Sequence, residues 1–456
     1  MAEQKTMIND LTQGNVTKQL LKFSAPFMLS NVLQTLYSLV DMVVIGQYVG
    51  SVGLSAVSIG SELLMMFTFI AIGFSTAGQV MIAQFIGRNE RKAISSTIGT
   101  MFSVIQLLSL IVTAVCLPLR DTFLNLLNTP PEAFDQARDY ITVCFSGMFF
   151  IFGYNTVSAI LRGMGDSKRP FVFIAIAAVI NLVLDLVFVA GFGMGAFGAA
   201  LATVIGQTAS FIISLVYLYH RRDAFGFDFR PSSFKIDKTK FIPLIKLGLP
   251  MSLQHAAISI SMLFVNSNIN AYGVVASAVT GVGGKLQSLM SIVSQSICTA
   301  GATMMGQNLG AGKYDRVKKI VHISHAICLA FAALLSVVMI LFPEQIFSIF
   351  NTDPEVLAMS HQYVYVEAVA IFGFALMCPY NALINGLGYS SLSFVIGLMD
   401  GVIARIGLSL LFGKVFGWGI TGYWYGNAIA GYVTVLLGGI YYYSNKWKTR
   451  KLLIES

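Results

Sequence analysis

Hydrophobic positions in this chain come in long uncharged blocks, not in the alternating or amphipathic patterns of a soluble fold. Phe23–Val40, Met42–Ser61, Leu63–Gly87, Ala93–Leu119, Tyr140–Leu161, Ile320–Pro343, Ala368–Met399 and Val415–Asn445 carry no Asp, Glu, Lys or Arg. About 20 apolar residues cross a bilayer as a helix, so these blocks predict membrane spans. Charge clusters and Gly/Pro turns between them divide the chain into twelve helices. They fall near 20–47, 53–86, 94–117, 138–161, 170–190, 196–219, 243–271, 276–309, 320–342, 358–385, 392–412 and 419–443. The expected fold class is therefore an all-α integral membrane protein.

A second pattern runs through the first. GQVMIAQFIG (78–87) matches GATMMGQNLG (301–310), NTPPE (128–132) matches NTDPE (351–355), and AILRGMGDS (159–167) matches ALINGLGYS (382–390), all at an offset of 223. Pro26 matches Pro250, and GMGAFG (193–198) matches GWGITG (417–422), at 224. Five matches in one order mark an internal repeat. Each copy holds an even number of spans, so the two copies run parallel in the membrane. The expected organisation is two pseudo-symmetric six-helix lobes, 1–219 and 241–456, joined by a polar linker at 220–240. That linker is too short for a soluble domain such as an ATPase.

Composition sharpens the exclusion. Of 456 residues, 56% are hydrophobic and only 11% are charged, against about 25% charged in ordinary soluble domains. A soluble enzyme, a nucleic-acid binder and a disordered chain are excluded. The net charge of +8 reads as topology. Basic residues crowd the N-terminal tail (Lys5, Lys18, Lys22), the even-numbered loops, the linker and the C-terminal tail, whereas the odd-numbered loops hold only Arg120, Arg138 and Lys414. The positive-inside rule then places both termini in the cytoplasm, in a multi-pass cell-membrane protein. The basic faces also attract anionic headgroups of the bilayer. The five cysteines lie in apolar runs without a CxxC, so neither a disulfide framework nor a metal site is expected. GMGAFG (193–198) is a literal GxGxxG, but an apolar span precedes it and no acid follows at the required spacing, so it reads as a tight turn. TGVGGKL (280–286) lacks the first Gly and the final Ser/Thr of a phosphate loop.

Ionisable groups at membrane depth are costly and mark function. Asp41 sits late in span 1. Asp185 lies in span 5 with Asn181 one helical turn before it, and Thr203 in span 6 adds a hydroxyl. Two carboxyls, an amide and a hydroxyl in one bundle suit a proton or Na⁺ site, because two neighbouring carboxylates in low dielectric cannot both stay charged easily. Arg405 falls at the repeat position of Asn181, which makes the ion site asymmetric and confines it to the first lobe. Asp400 or Glu367 is expected to neutralise it. His255, His322 and His325 read as packing residues, without a second ligand motif. Glu62 and Lys285 are repeat-equivalent at an offset of 223, and they are the candidate gate pair, a salt bridge formed in one access state.

The segments SAPFMLSNVLQTLYSLVDMVVIGQYVG (24–50), GMGDSKRP (163–170), NLVLDLVFVAGFGMGAFGAALAT (181–203), GQNLGAGK (306–313) and NALINGLGYS (381–390) together resemble the multidrug and toxic compound extrusion (MATE) family, across nearly the whole chain. The resemblance implies a twelve-helix secondary exporter of two six-helix lobes that exchanges H⁺ or Na⁺ for organic, often cationic, compounds. Its first-lobe pattern is similar to the DinF-type branch. On that likeness Asp41, Asn181, Asp185 and Thr203 form the cation-coupling site, with Tyr37 and Asn155 beside it, and Gln34, Tyr37 and Asn155 contact substrate. The NorM-type branch carries second-lobe acids where this chain has Ile258 and Phe374. The expectation is thus a monomeric antiporter of amphipathic organic compounds, with no catalytic residue, no cofactor and no nucleic-acid partner. H⁺ is favoured over Na⁺, because one carboxyl suffices to hold a proton whereas Na⁺ needs several oxygens. The alternative is a flippase of a lipid-linked precursor from the same superfamily. For the gate pair, reversing both Glu62 and Lys285 restores transport that either single reversal abolishes; a double variant as inactive as the singles excludes the pairing.

Overall fold

The computed structural model describes residues 7–455, so Lys5 lies outside the described residues. Among the described residues the secondary structure is entirely helical. The helices are α1 (Val16–Tyr48), α2 (Gly50–Gly87), α3 (Arg91–Leu126), α4 (Pro131–Ser146), α5 (Met148–Gly163), α6 (Lys168–Asp185), α7 (Gly195–His220), α8 (Arg222–Phe225), α9 (Lys238–Asn270) and α10 (Val274–Gly310). They continue as α11 (Tyr314–Leu341), α12 (Pro343–Ser348), α13 (Pro354–Leu387), α14 (Ser390–Leu398), α15 (Arg405–Leu410), α16 (Gly419–Ala430) and α17 (Tyr432–Tyr443). Nine of the described helical segments are long and apolar enough to cross a membrane, or ten when α4 and α5 count as one span. The 37-residue α10 and the pair α16–α17 complete the twelve-helix layout. A backbone in hydrocarbon must satisfy its hydrogen bonds internally, and unbroken helices do so.

The chain divides into two compact units. The first is Met1–Asp10 with Ala25–Ser252, and the second is Leu11–Ser24 with Leu253–Ser456. The long helices α1 and α9 each contribute to both. The changes fall beside Pro26 and just past Pro250, the prolines inside these helices.

Each unit repeats the other's local devices. The Phe192 N–H donates to the carbonyl of Val187 at 2.9 Å, and its repeat partner Phe416 donates to Leu411 at 2.8 Å. These five-residue bonds belong to π-helical turns at Leu186–Gly191 and Leu411–Val415. A Cβ on Gly163 would lie 2.8 Å from the Gln79 carbonyl oxygen, and one on Gly386 would lie 2.9 Å from that of Ala302. Both contacts bring backbone against backbone, so only glycine fits. The 223-residue offset in the sequence is thus an offset between equivalent close approaches.

Some spans are less regular than their hydropathy suggests. The fourth bends by 51° between α4 and α5 at Gly147, where a Cβ would meet Val204 of α7 at 2.6 Å. The spans 390–415 and 419–443 are likewise interrupted, the first by π-helical turns and the second at Gly431.

Polar ends are held by specific bonds. Asp166 Oδ1 accepts from the N–H groups of Lys168 and Arg169 at 3.0 and 3.2 Å, which caps α6. At the start of α11 the basic residues do more than mark a membrane face. Arg316 donates to the carbonyls of Gly14, Leu11 and Gln13 and to the side chains of Gln19 and Asn308, while Lys313 Nζ donates to Thr12. The linker is also docked. Phe227 and Phe234 pack edge-on at 5.2 Å, and Phe234 sits against Phe102 of α3. Ser96 Oγ donates to Asp237 Oδ2 at 2.8 Å, and the Thr239 N–H donates to Asp237 Oδ1 at 2.9 Å.

The Asp237 carboxyl is held below the usual carboxylate range, first by the Ser96 hydroxyl and then by the Thr239 hydroxyl. A depressed carboxyl stabilises the fold above its unfolded value, about 3.9. That contribution is lost as pH falls through the lower folded value. Asp237→Ala removes the α9 cap and should cost about 1 kcal/mol at neutral pH. Thermal unfolding in detergent should show the deficit shrinking as the pH falls below that of a free carboxyl. A deficit independent of pH would refute the assignment.

Candidate cation-coupling site

The candidate site lies in the first unit, on α1, α4, α5, α6 and α7. Asp41 and Asp185 adjoin one another through their carboxyls. Asp185 is fully buried and Asp41 half-buried. The Oδ1 atom of each is buried without a hydrogen-bond partner. A carboxyl oxygen left in that state is costly unless a proton or a cation answers it. Asn181 Nδ2 donates to Thr203 Oγ1 at 3.4 Å across α6 and α7, so the atom Asn181 can offer a ligand is its amide oxygen. The local fold favours this cluster. Asp185 ends the regular α6, and the π-helical turn follows at once; such turns recur at functional sites because they re-aim side chains.

Tyr37 lies one helical turn before Asp41 and is close enough to interact electrostatically with Asp41, Tyr154 and Asp185. Asn155 is half-buried, with Nδ2 donating to the Ile151 carbonyl at 2.8 Å. Gln34 is exposed on α1. The sequence reading omitted Tyr140 and Tyr154. Tyr140 is buried, hydrogen-bonded to Ser61 at 3.0 Å, and within electrostatic reach of Asp41 and Tyr37. Tyr154 OH donates to the Pro170 carbonyl at 3.2 Å. A tyrosine in an apolar run looks like core packing, and only the position of its hydroxyl distinguishes it. Glu62 is exposed on α2 in the first unit and Lys285 is exposed on α10 in the second.

The MatE family model matches the chain twice, over residues 26–187 and 250–411. The chain belongs to this family. Its members are transporters and not enzymes, and they need no cofactor. The probable multidrug resistance protein YpnP of Bacillus subtilis is 30% identical over 98% of this chain and 99% of its own length. The fold is shared with an outward-facing multidrug resistance MATE transporter of the MOP superfamily, at a TM-score of 0.88, 23% identity and coverage of 96% of this chain and 98% of that one. It is shared equally with a MOP superfamily transporter from Pyrococcus furiosus, at 0.89, 22%, 97% and 98%. This chain is a multi-pass MatE multidrug efflux transporter.

The two MatE copies differ where the acids sit. At the 224-residue offset, Asp41 corresponds to Val265, Asp185 to Ser409, Asn181 to Arg405 and Thr203 to Asn427. The geometry persists while the chemistry changes. Arg405 Nη1 donates to Asn427 Oδ1 at 2.6 Å, as Asn181 donates to Thr203. Arg405 Nη2 meets Asp400 Oδ1 at 3.0 Å, so Asp400 is the partner of this buried guanidinium. Thr434 donates to the other oxygen of Asp400 at 3.3 Å. Of the histidines, the two ring nitrogens of His325 lie 3.1 Å from the carbonyl oxygens of Val321 and Leu376, one of which its single N–H reaches as donor, and His322 bonds Tyr442 OH at 3.2 Å.

Removing one member of a buried, hydrogen-bonded ion pair strands the other. Arg405→Met should therefore destabilise the protein by ~3–5 kcal/mol, and Arg405→Met with Asp400→Leu should recover most of that loss. Melting temperatures in detergent decide it; a double variant no better than the single contradicts the pairing.

Proposed function

We propose that this transporter is an antiporter that expels amphipathic, cationic organic compounds in exchange for H⁺, through Asp41 and Asp185. The observation that carries the reading is the pair of adjoining carboxyls, each with a buried oxygen that no protein group answers. A proton on the pair removes a like-charge repulsion and supplies the missing hydrogen bond in one step. Gain and loss of that proton drive alternating access only if the two states hold it with different affinity, and cargo must favour the state that releases it. Asn181 and Thr203 hold the α6–α7 side of the site. Tyr37, Asn155 and Gln34 serve the cargo side.

The Asn181 amide oxygen and the Thr203 hydroxyl are also oxygens a bare cation can use, which keeps Na⁺ as the second reading. The multidrug transporters named above support export of small molecules over flipping of a lipid-linked precursor. The distribution of Lys and Arg supports a cell-membrane orientation with both termini in the cytoplasm. A single chain carries both repeats, which fits a monomer.

Purified protein in sealed vesicles, with ΔpH and Na⁺ gradients imposed separately, tests the reading with ethidium as cargo. Export should follow ΔpH. Asp41→Asn and Asp185→Asn should each abolish the gradient-driven component, a loss of at least about 100-fold if each carboxyl is indispensable for proton transfer. Export driven by Na⁺ alone would select the second reading, and undiminished gradient-driven export in both variants would remove the site assignment.

A further inference from the structure

We propose that the C-terminal tail of the second unit, together with Lys318 of α11, forms a seat for the phosphodiester headgroup of an anionic phospholipid. The last span ends with α17 at Tyr443, and Lys446, Lys448, Arg450 and Lys451 follow, with no acid before Glu455. The stretch that follows the first repeat, the linker, instead mixes its bases with Asp223, Asp228 and Asp237, and pairs Arg230 with Asp228 at 3.6 Å. The excess positive charge is therefore on the tail. That tail is a docked platform. Trp447 is fully buried, it stacks on Tyr442 with ring centroids 6.1 Å apart, and its indole N–H donates to the Tyr442 carbonyl at 3.0 Å. Leu453 packs on Gly388, where a Cβ would lie 2.4 Å from that of Leu453.

The platform brings cations together. The Lys448 ammonium adjoins that of Lys318, which holds it below the usual lysine range, while Asp315 pulls more weakly the other way. Two ammonium groups so placed repel each other, and an anion shared between them removes that cost. Arg450 is on the same tail, its Cζ 3.3 Å from the centre of the Tyr389 ring. Stacking occupies the flat face of the guanidinium and leaves its N–H fork for phosphate oxygens. The Tyr441 ring packs on Tyr389 at 5.2 Å, and its hydroxyl is buried without a hydrogen-bond partner. The repeat shows what the second unit lacks. Tyr389 stands where the first copy has Asp166, at the 223-residue offset, and Asp166 pairs with Arg169. Among the described residues, the ion pairs include none of Lys318, Lys448 and Arg450.

The surroundings select a lipid over a soluble phosphate. Leu436, Ile440 and Tyr443 are exposed and share one face of α17. This apolar row leads to the tail, so acyl chains can lie along α17 while the headgroup meets the cations. Trp and Tyr gather where a membrane meets water. Tyr314 packs against Trp447 at 6.0 Å, and Tyr389 lies beneath Arg450. Attraction of Lys and Arg to an anionic surface falls off within a Debye length. A headgroup seated among Lys318, Lys448 and Arg450 gains from all three at once.

The seat depends neither on Asp41 and Asp185 nor on the nature of the cargo. Native mass spectrometry of the full chain in non-ionic detergent tests it, with phosphatidylglycerol or phosphatidylcholine of the same acyl chains added. The first phosphatidylglycerol should be held at least about tenfold more tightly than phosphatidylcholine. Lys448→Gln with Arg450→Gln should weaken phosphatidylglycerol binding by at least about tenfold. Lys235→Gln with Lys238→Gln removes the same charge from the linker and should change that binding by less than about twofold. Lys318→Gln, a swap between residues of similar helix propensity, should weaken it about threefold, and it decides the matter if the tail variant does not fold. Equal retention of the two lipids overturns the seat. So does a folded tail or Lys318 variant that binds phosphatidylglycerol as tightly as wild type, and so do equal losses in the tail and linker variants. Inorganic phosphate at matched ionic strength should leave the lipid bound; displacement would give the seat to free phosphate and overturn the lipid assignment.

Discussion

Two carboxyls held side by side in an apolar bundle, each with an oxygen that nothing in the chain answers, are the constraint on which the functional reading depends. An acidic side chain at mid-bilayer costs about 3 kcal/mol or more, and a second one beside it adds repulsion. A fold that needed only stability would place Leu or Ala at both positions. The chain instead surrounds the pair with fixed polar groups. Tyr140 is tied to Ser61, Asn181 to Thr203, and Tyr154 to a backbone carbonyl. Those bonds are complete within the protein, and the carboxyl oxygens are not. On the proposed function, a proton or a small cation supplies the missing partner, and that reading separates the cluster from a structural hydrogen-bond network.

The internal repeat shows what the acids add to the shared architecture. The π-helical turns, the glycine contacts under Tyr140 and Tyr363 and the bond between equivalent positions on neighbouring spans are common to both copies. Packing therefore does not require Asp41 or Asp185, since Val265 and Ser409 serve at the same places. In the second copy the positive charge is covalent. Arg405 occupies the Asn181 position and is neutralised within the fold by Asp400. One copy carries the two acids of the proposed cation site and the other a fixed ion pair.

Much of this was legible in the sequence, for reasons that can be named. Hydropathy reports the spans because hydrocarbon tolerates little else. The repeat was visible because Gly163 and Gly386, among others, sit where no side chain fits. Asp41 and Asp185 stood out because acids are rare at membrane depth. Other features left no such mark. The bend at Gly147 depends on a close approach to Val204 that only three dimensions reveal. The π-helical turns have no hydropathy signature. Tyr140 and Tyr363 are indistinguishable from core aromatics until their hydroxyls are located. The sequence left Asp400 and Glu367 as equal partners for Arg405, and geometry separates them. Lys313 and Arg316 counted as topology signals, yet they also grip the segment 11–14.

The helices that bear the two acids differ in a way that matters for coupling. Asp185 is on α6, which lies wholly within the first unit, and it is fully buried. Asp41 is on α1, a single helix that begins in the second unit and enters the first beside Pro26. A proline inside a helix removes one ladder hydrogen bond and weakens the helix locally. In the proposed exchange the repulsion between the two carboxyls depends directly on their separation, and a change in that separation links proton affinity to conformation, which is the differential affinity an exchange of ion for cargo requires.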